Sequence, residues 1–168
     1  MRRAALLVIA AGVGNAACGT PPPSWAPDAG PCIEYVSTID LNTPTTSFKT
    51  DVVPVLEQSC ASSSCHGIAD GPKGDLFLGA QLAHGADADQ VHASLVGKAS
   101  GQLPSMQFVA PGDPKQSYVM HKLDNDQCMF NSGCVGSDCQ HSMPFDIALA
   151  QDKRDIIRRW IAQGAAAN

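Results

Sequence analysis

Aromatic residues make up only 5% of this 168-residue chain, and charged residues only 16%. So few large rings leave a modest core for one domain of ordinary size, one that cross-links or a buried cofactor would help to stabilise. Basic residues are scarcer than acidic ones, 11 against 16, for a formal net charge of −5. No basic stripe with interleaved aromatics appears, so nucleic acid is not expected as a partner. The apolar run at 4–13 falls short of the roughly 20 residues that cross a bilayer. No internal repeat is visible, which argues against more than one cofactor of a kind. The serines at 62–64 lie near His66, but no nucleophile elbow or orienting acid accompanies them. Residues 70–75 lack the carboxylate series of a calcium loop and read as turns.

What the chain does have is cysteine, seven in all, and the densest stretch reads Cys-Ala-Ser-Ser-Ser-Cys-His at 60–66. A thiol followed at once by an imidazole, with a second thiol shortly before, is how a c-type haem is tethered. The two sulfurs add to the vinyl groups and the histidine becomes the proximal iron ligand. The usual spacing is two residues, which keeps both sulfurs on one helical face; here it is four. For Cys60 and Cys65 to reach one porphyrin, residues 61–64 must bulge out of the helix. Three serines suit a bulge, because their hydroxyls compete locally for backbone hydrogen bonds. Composition alone produces this pattern about once in a hundred such chains. Two other readings stay open: a small Cys60–Cys65 disulfide loop with a histidine beside it, and a zinc site.

The amino terminus bears on that choice. Met-Arg-Arg, the apolar run and Ala16-Ala17 before Cys18 form a signal peptide over residues 1–17. A cysteine just after the cleavage point is the arrangement of a bacterial lipoprotein, acylated at Cys18, although Asn15 stands where Leu, Val or Ile is preferred. Cleavage removes Arg2, Arg3 and no acidic residue, which takes the formal charge to −7. The expected location is outside the cytoplasm of a Gram-negative bacterium, periplasmic or at the outer membrane, held by the lipid anchor. Export favours covalent haem and makes the remaining cysteines, Cys32, Cys128, Cys134 and Cys139, candidates for two disulfides in any of three connectivities.

Residues 18–45, rich in Pro and Gly, read as a tether, with Ile33, Tyr35 and Ile39 able to alternate on a short strand. The domain proper is expected over 46–168. Phe48, Val52, Val55 and Leu56 fall on one helical face leading into Cys60, with Pro54 in the first turn or at a kink. A second helix is expected over 87–97. A third begins at Asp113-Pro114, a good cap and first residue, and carries Tyr118, Val119 and Leu123. The last runs over 152–163, with Ile156, Ile157, Trp160 and Ile161 as its apolar stripe and Gly164 to end it.

In order, the chain shows an amphipathic helix into Ser-Cys…Cys-His-Gly, then Val109-Ala-Pro-Gly-Asp-Pro…Ser117-Tyr-Val-Met. Met143-Pro and Arg158-Arg-Trp-Ile-Ala-Gln-Gly-Ala165 follow. This resembles the small class I-type cytochrome c domains of exported planctomycete and myxobacterial proteins, over roughly 47–165. The resemblance implies an all-α bundle of three to five short helices with long loops around one covalent haem c. It also implies packing of the first helix on the last, and a sixth ligand from a late Met-Pro turn. The chain departs from that pattern in its four-residue cysteine spacing and in a cysteine-rich insertion over 124–142.

Met143 is the expected distal ligand: its thioether is soft, and Pro144 stiffens the backbone that holds it. His141, two residues away, and His121, beside Met120, are the rivals. His84 and His92 have no partner pattern, and Met106 and Met129 read as core or loop residues. Cys128, Cys134, Cys139 and His141 also admit a zinc reading, though their spacing fits disulfides better. These residues predict a monohaem electron carrier rather than a catalyst, serving redox partner proteins; without Met143 as a ligand, an open site would support peroxidase-like or gas-binding behaviour. The alternative is a haem-free, disulfide-stapled lipoprotein domain with a structural or binding role.

Overall fold

The computed structural model describes residues 31–145 and 147–168. The chain is all-α: no strand occurs among the described residues, and β pairing is limited to isolated bridges such as Val96 with Val109. The expected strand at Ile33, Tyr35 and Ile39 is therefore absent. The expected signal peptide over 1–17, Cys18 and residues 19–30 of the expected tether lie outside the described residues.

The first helical segment starts where Ser47 closes a reciprocal cap. Its hydroxyl accepts from the Thr50 N–H at 3.3 Å, and the Asp51 carboxylate accepts from the Ser47 N–H at 2.8 Å. Asn168 adds a second cap, accepting from the Phe48 and Lys49 N–H groups. A wide turn over Phe48–Val52 passes directly into α1, Val53–Ser59, with Pro54 in its first turn. Phe48, Val52, Val55 and Leu56 are all buried, as their spacing predicts.

The second helix, α2, covers Ala88–Leu95 and buries Val91 and Leu95. At Asp113 the expected cap forms, its carboxylate accepting from the Lys115 and Gln116 N–H groups. The helix it opens lasts one tight turn, Pro114–Gln116. Ser117 then takes extended dihedrals because its hydroxyl donates to the Asp113 carbonyl and accepts from the Ala110 N–H. Helix α3 follows as a separate element over Tyr118–Asp124, ended by Asn125 in the left-handed region. The last helix, α4, covers Gln151–Ala162, and Gly164, at φ +99°, turns the chain after it.

The first segment packs on α4 through Phe48 and Trp160, stacked with centroids 4.8 Å apart, while His92 of α2 meets Phe48 edge-on at 5.2 Å. The Trp160 indole N–H donates to the Ala166 carbonyl at 2.9 Å, so its one polar group is paired. His92 Nε2 donates to the Ala165 carbonyl at 2.8 Å, which makes it part of this core.

The end of the expected tether does not hang free. Residues 32–44 form a strap across α4, because several groups on that helix offer it partners. The Arg154 and Arg158 guanidiniums lie 5.2 and 4.8 Å from the Tyr35 ring centroid. Both arginines pair with Asp124 at the end of α3. The Arg159 Nε donates to the Asp40 carbonyl, and the Gln163 amide donates to the Leu41 and Pro44 carbonyls. A disulfide, Cys32–Cys128, fastens its start.

Candidate functional site

Helix α1 stops at Ser59, and residues 60–67 leave the helix in a compact turn. The Ala61 N–H still reaches the Leu56 carbonyl at 3.1 Å. The Cys65 and Gly67 N–H groups both donate to the Ser62 carbonyl at 2.9 Å, and the His66 N–H returns to the Cys60 carbonyl at 3.2 Å. Ser63 and Ser64 are pushed into solvent, while Cys60, Cys65 and His66 stay half-buried.

His66 is held from three directions. Its carbonyl accepts from the Leu78 N–H at 2.9 Å, and its N–H is bound within the turn. Its ring nitrogen Nδ1 lies 2.9 Å from the Leu76 carbonyl. A carbonyl only accepts, so Nδ1 carries the proton and Nε2 keeps its lone pair. Burial lowers the His66 pKa, against the pull of the Leu76 and Lys73 carbonyls, and the Lys122 charge pushes the same way as burial. The ring is therefore neutral at neutral pH, the form that ligates a metal.

Below this turn opens a cleft of about 720 Å³. Its walls carry Cys60, Cys65 and His66 from one segment and His141, Met143 and Phe145 from another far along the chain. Leu56, Leu76, Leu78, Phe108 and Leu123 make much of the remainder apolar. The Met143 N–H donates to the Lys122 carbonyl at 2.7 Å, which fixes that segment on the last turn of α3. His141 sets its ring edge-on to Phe145 at 4.9 Å.

His121, by contrast, is not among the residues lining this cleft. Its Nδ1 lies 2.7 Å from the Asp126 carboxylate and its Nε2 lies 3.0 Å from the Lys115 carbonyl. Two acceptors call for two N–H donors. Burial opposes the charged ring, but the Asp126 and Lys115 bonds outweigh it and the pKa rises. Both nitrogens are committed, so His121 is a structural residue of the α3 end.

Of the three connectivities open to the late cysteines, the structure has Cys32–Cys128 and Cys134–Cys139. No thiolate is left at 128, 134 or 139, which removes the Cys₃His zinc reading. Among the described residues no group of three His, Cys, Asp or Glu side chains is arranged to hold a metal ion. Cys60 is a free thiol, and burial pushes its pKa up to about 12. Cys65 is disulfide-bonded, but not to Cys60, so the small 60/65 loop does not form.

Among the lining residues to which the sequence assigns no site role, Gln102, Tyr118 and Lys122 form one cluster. The Tyr118 hydroxyl donates to the Gln102 Oε1 at 2.6 Å, and Lys122 Nζ donates to the same oxygen at 3.2 Å and to the Cys139 carbonyl at 2.7 Å. The one available signal was the four-residue spacing of Tyr118 and Lys122, which puts them on one face of α3.

No family model, curated protein or solved structure matches this chain.

Proposed function

We propose that the protein is an exported, lipid-anchored c-type monohaem electron carrier of the cytochrome c-like kind. The observation that carries this reading is the single cleft that gathers Cys60, Cys65, His66 and Met143 on its walls. Its volume lies in the range of sites for compact organic cofactors, about 300–1,000 Å³. Much of its lining is apolar, and the His66 ring on its wall is anchored through Nδ1 to the Leu76 carbonyl. The residues fit the group.

In this reading Cys60 and Cys65 supply the sulfurs, His66 the proximal nitrogen and Met143 the distal sulfur. His141 is the neighbouring rival for the distal position. Haem, when bound, supplies a one-electron iron couple whose potential follows its ligands and burial. The protein's part is to hold His66 neutral and oriented through Leu76, and to exclude water with the Leu and Phe walls. The stacking of Phe48 on Trp160 ties the first helical segment to the last, which gives such a carrier a packed frame. A thioether consumes a thiol, so the disulfide at Cys65 has to be reduced before haem is attached there.

The Cys32–Cys128 and Cys134–Cys139 disulfides are the specific observation behind a second reading, a haem-free, disulfide-stapled lipoprotein domain. The deciding experiment is a pyridine haemochrome spectrum of the mature protein, exported from a host with haem-attachment machinery, then denatured and extracted. A c-type band that survives extraction supports the carrier. A colourless folded protein sinks it and leaves the stapled module.

A further inference from the structure

A second cavity, of about 220 Å³, lies between residues 125–131 and 138–141 of the cysteine-rich insertion. We infer that it is a calcium site, built from oxygens of Gln127, Asn131, Asp138 and Gln140 and completed by water.

Gln127 lines this cavity and is only 2% exposed, yet its Oε1 has no hydrogen-bond partner among the described residues. Turning the amide over does not mend this. Its Nε2 donates to the Gln140 carbonyl at 3.0 Å, and a flipped amide would set oxygen against oxygen. A buried acceptor left unpaired is costly, so this oxygen calls for a donor or a cation.

The neighbouring groups are acceptors too. Asn131 Oδ1 accepts from the Cys139 N–H at 2.9 Å, and Asp138 Oδ1 accepts from the Gln140 N–H at 2.8 Å. Each of these oxygens has a second lone pair, and Asp138 adds a full negative charge. Neither lysine nor arginine lines the cavity. Amide, carbonyl and carboxylate oxygens are hard ligands, and the two disulfides leave no thiolate here, which suits Ca²⁺ and not Zn²⁺. With one carboxylate the set is not a group of three His, Cys, Asp or Glu ligands. Its affinity belongs with the weak extracellular sites, about 10⁻⁴–10⁻³ M. At about 30 Å³ for each water, the cavity takes an ion with several waters. His141 lines this cavity as well as the cleft, so an ion here fastens the segment that carries Met143.

The site holds with or without haem in the cleft. The test uses the mature, exported protein with its disulfides intact. It is stripped with EDTA, and its thermal midpoint is followed as CaCl₂ is added at constant ionic strength. The midpoint is expected to climb once Ca²⁺ passes about 1 mM, because an ion that binds only the folded state stabilises it. Asp138→Asn keeps an acceptor for the Gln140 N–H, so the midpoint in EDTA should not change. The onset of the climb should move to at least about tenfold higher Ca²⁺. Gln127→Glu places a second carboxylate at the ion. This variant should melt earlier than the wild type in EDTA and gain more from Ca²⁺. A wild-type midpoint that stays fixed up to about 10 mM Ca²⁺ overturns the site. So does a response that MgCl₂ reproduces in full, or a Gln127→Glu variant that Ca²⁺ does not rescue; the Gln127 oxygen then holds only a buried water. None of these results bears on the haemochrome, so the two readings fail separately.

Discussion

A Cβ placed on Gly67 would lie 2.1 Å from the Ala61 carbonyl oxygen. That approach lets the 60–67 turn close on itself, and it is backbone against backbone, so no flexible side chain can give way. Gly67→Ala is expected to open the turn and displace His66 from the Leu76 carbonyl. It should cost about 1–3 kcal/mol, as overpacking typically does. Thermal denaturation checks the stability loss. In the haem-loading host, the yield of covalent haem per folded protein should fall further than stability alone accounts for.

Met143→Leu and His141→Leu separate the two candidates for the distal position. The covalent band should survive in both variants. If Met143 is the distal ligand, only Met143→Leu should let added imidazole bind the ferric protein readily, read from its absorption spectrum. If His141→Leu alone opens that position, the assignment passes to His141.

The two staples should differ in kind. By loop-closure entropy, Cys32–Cys128, with a separation of 96 residues, stabilises by about 5 kcal/mol, against about 2 kcal/mol for Cys134–Cys139, with a separation of 5. Paired Cys→Ser replacement at 32 and 128 should therefore lower the denaturation midpoint more. Replacement at 134 and 139 should do more damage to the cleft, because it loosens the Cys139 carbonyl under Lys122. Urea unfolding and protoporphyrin binding, measured on both variants, read the two effects.

His121 predicts a pH dependence with a definite sign. Its pKa is raised in the folded state, so the folded protein holds this proton more tightly than the unfolded chain. Its contribution is fully present below the ordinary histidine value of 6.5 and is lost as pH rises through the raised folded value. His121→Gln should flatten that part of the stability curve. The Asp126 carboxylate also accepts from the Tyr35 N–H at 2.9 Å, so strap protection in hydrogen exchange should weaken with it. His66 works the other way, since its folded pKa is depressed and acid below about 6.5 favours the unfolded chain.

Local rules made much of the fold legible. The stripe ending in Trp160 and Ile161 marks α4 to within a residue at each end, and Gly164 stops it, because periodicity and a left-handed turn residue need no tertiary information. The face of Phe48, Val52, Val55 and Leu56 is legible for the same reason. The Asp113 cap was visible, but the break at Ser117 was not, since it depends on a hydroxyl that finds Ala110 and Asp113 only once the loop has folded. The strap was misread as part of a tether and a possible strand, because Tyr35 is ordered by arginines more than a hundred residues away.

The sequence alone put Cys60, Cys65, His66 and Met143 forward as candidates, because residue type and near-neighbour spacing are written in it. It also implied a departure from the helix, since four residues between cysteines cannot continue a helix and keep both sulfurs on one face. Tertiary structure decided which cysteines pair, that the His66 ring is anchored at the Leu76 carbonyl while His121 is tied to Asp126 and Lys115, and that Lys122, Tyr118 and Gln102 share the cleft with His66. Those outcomes depend on distances between segments remote in sequence, which packing sets and no local pattern encodes.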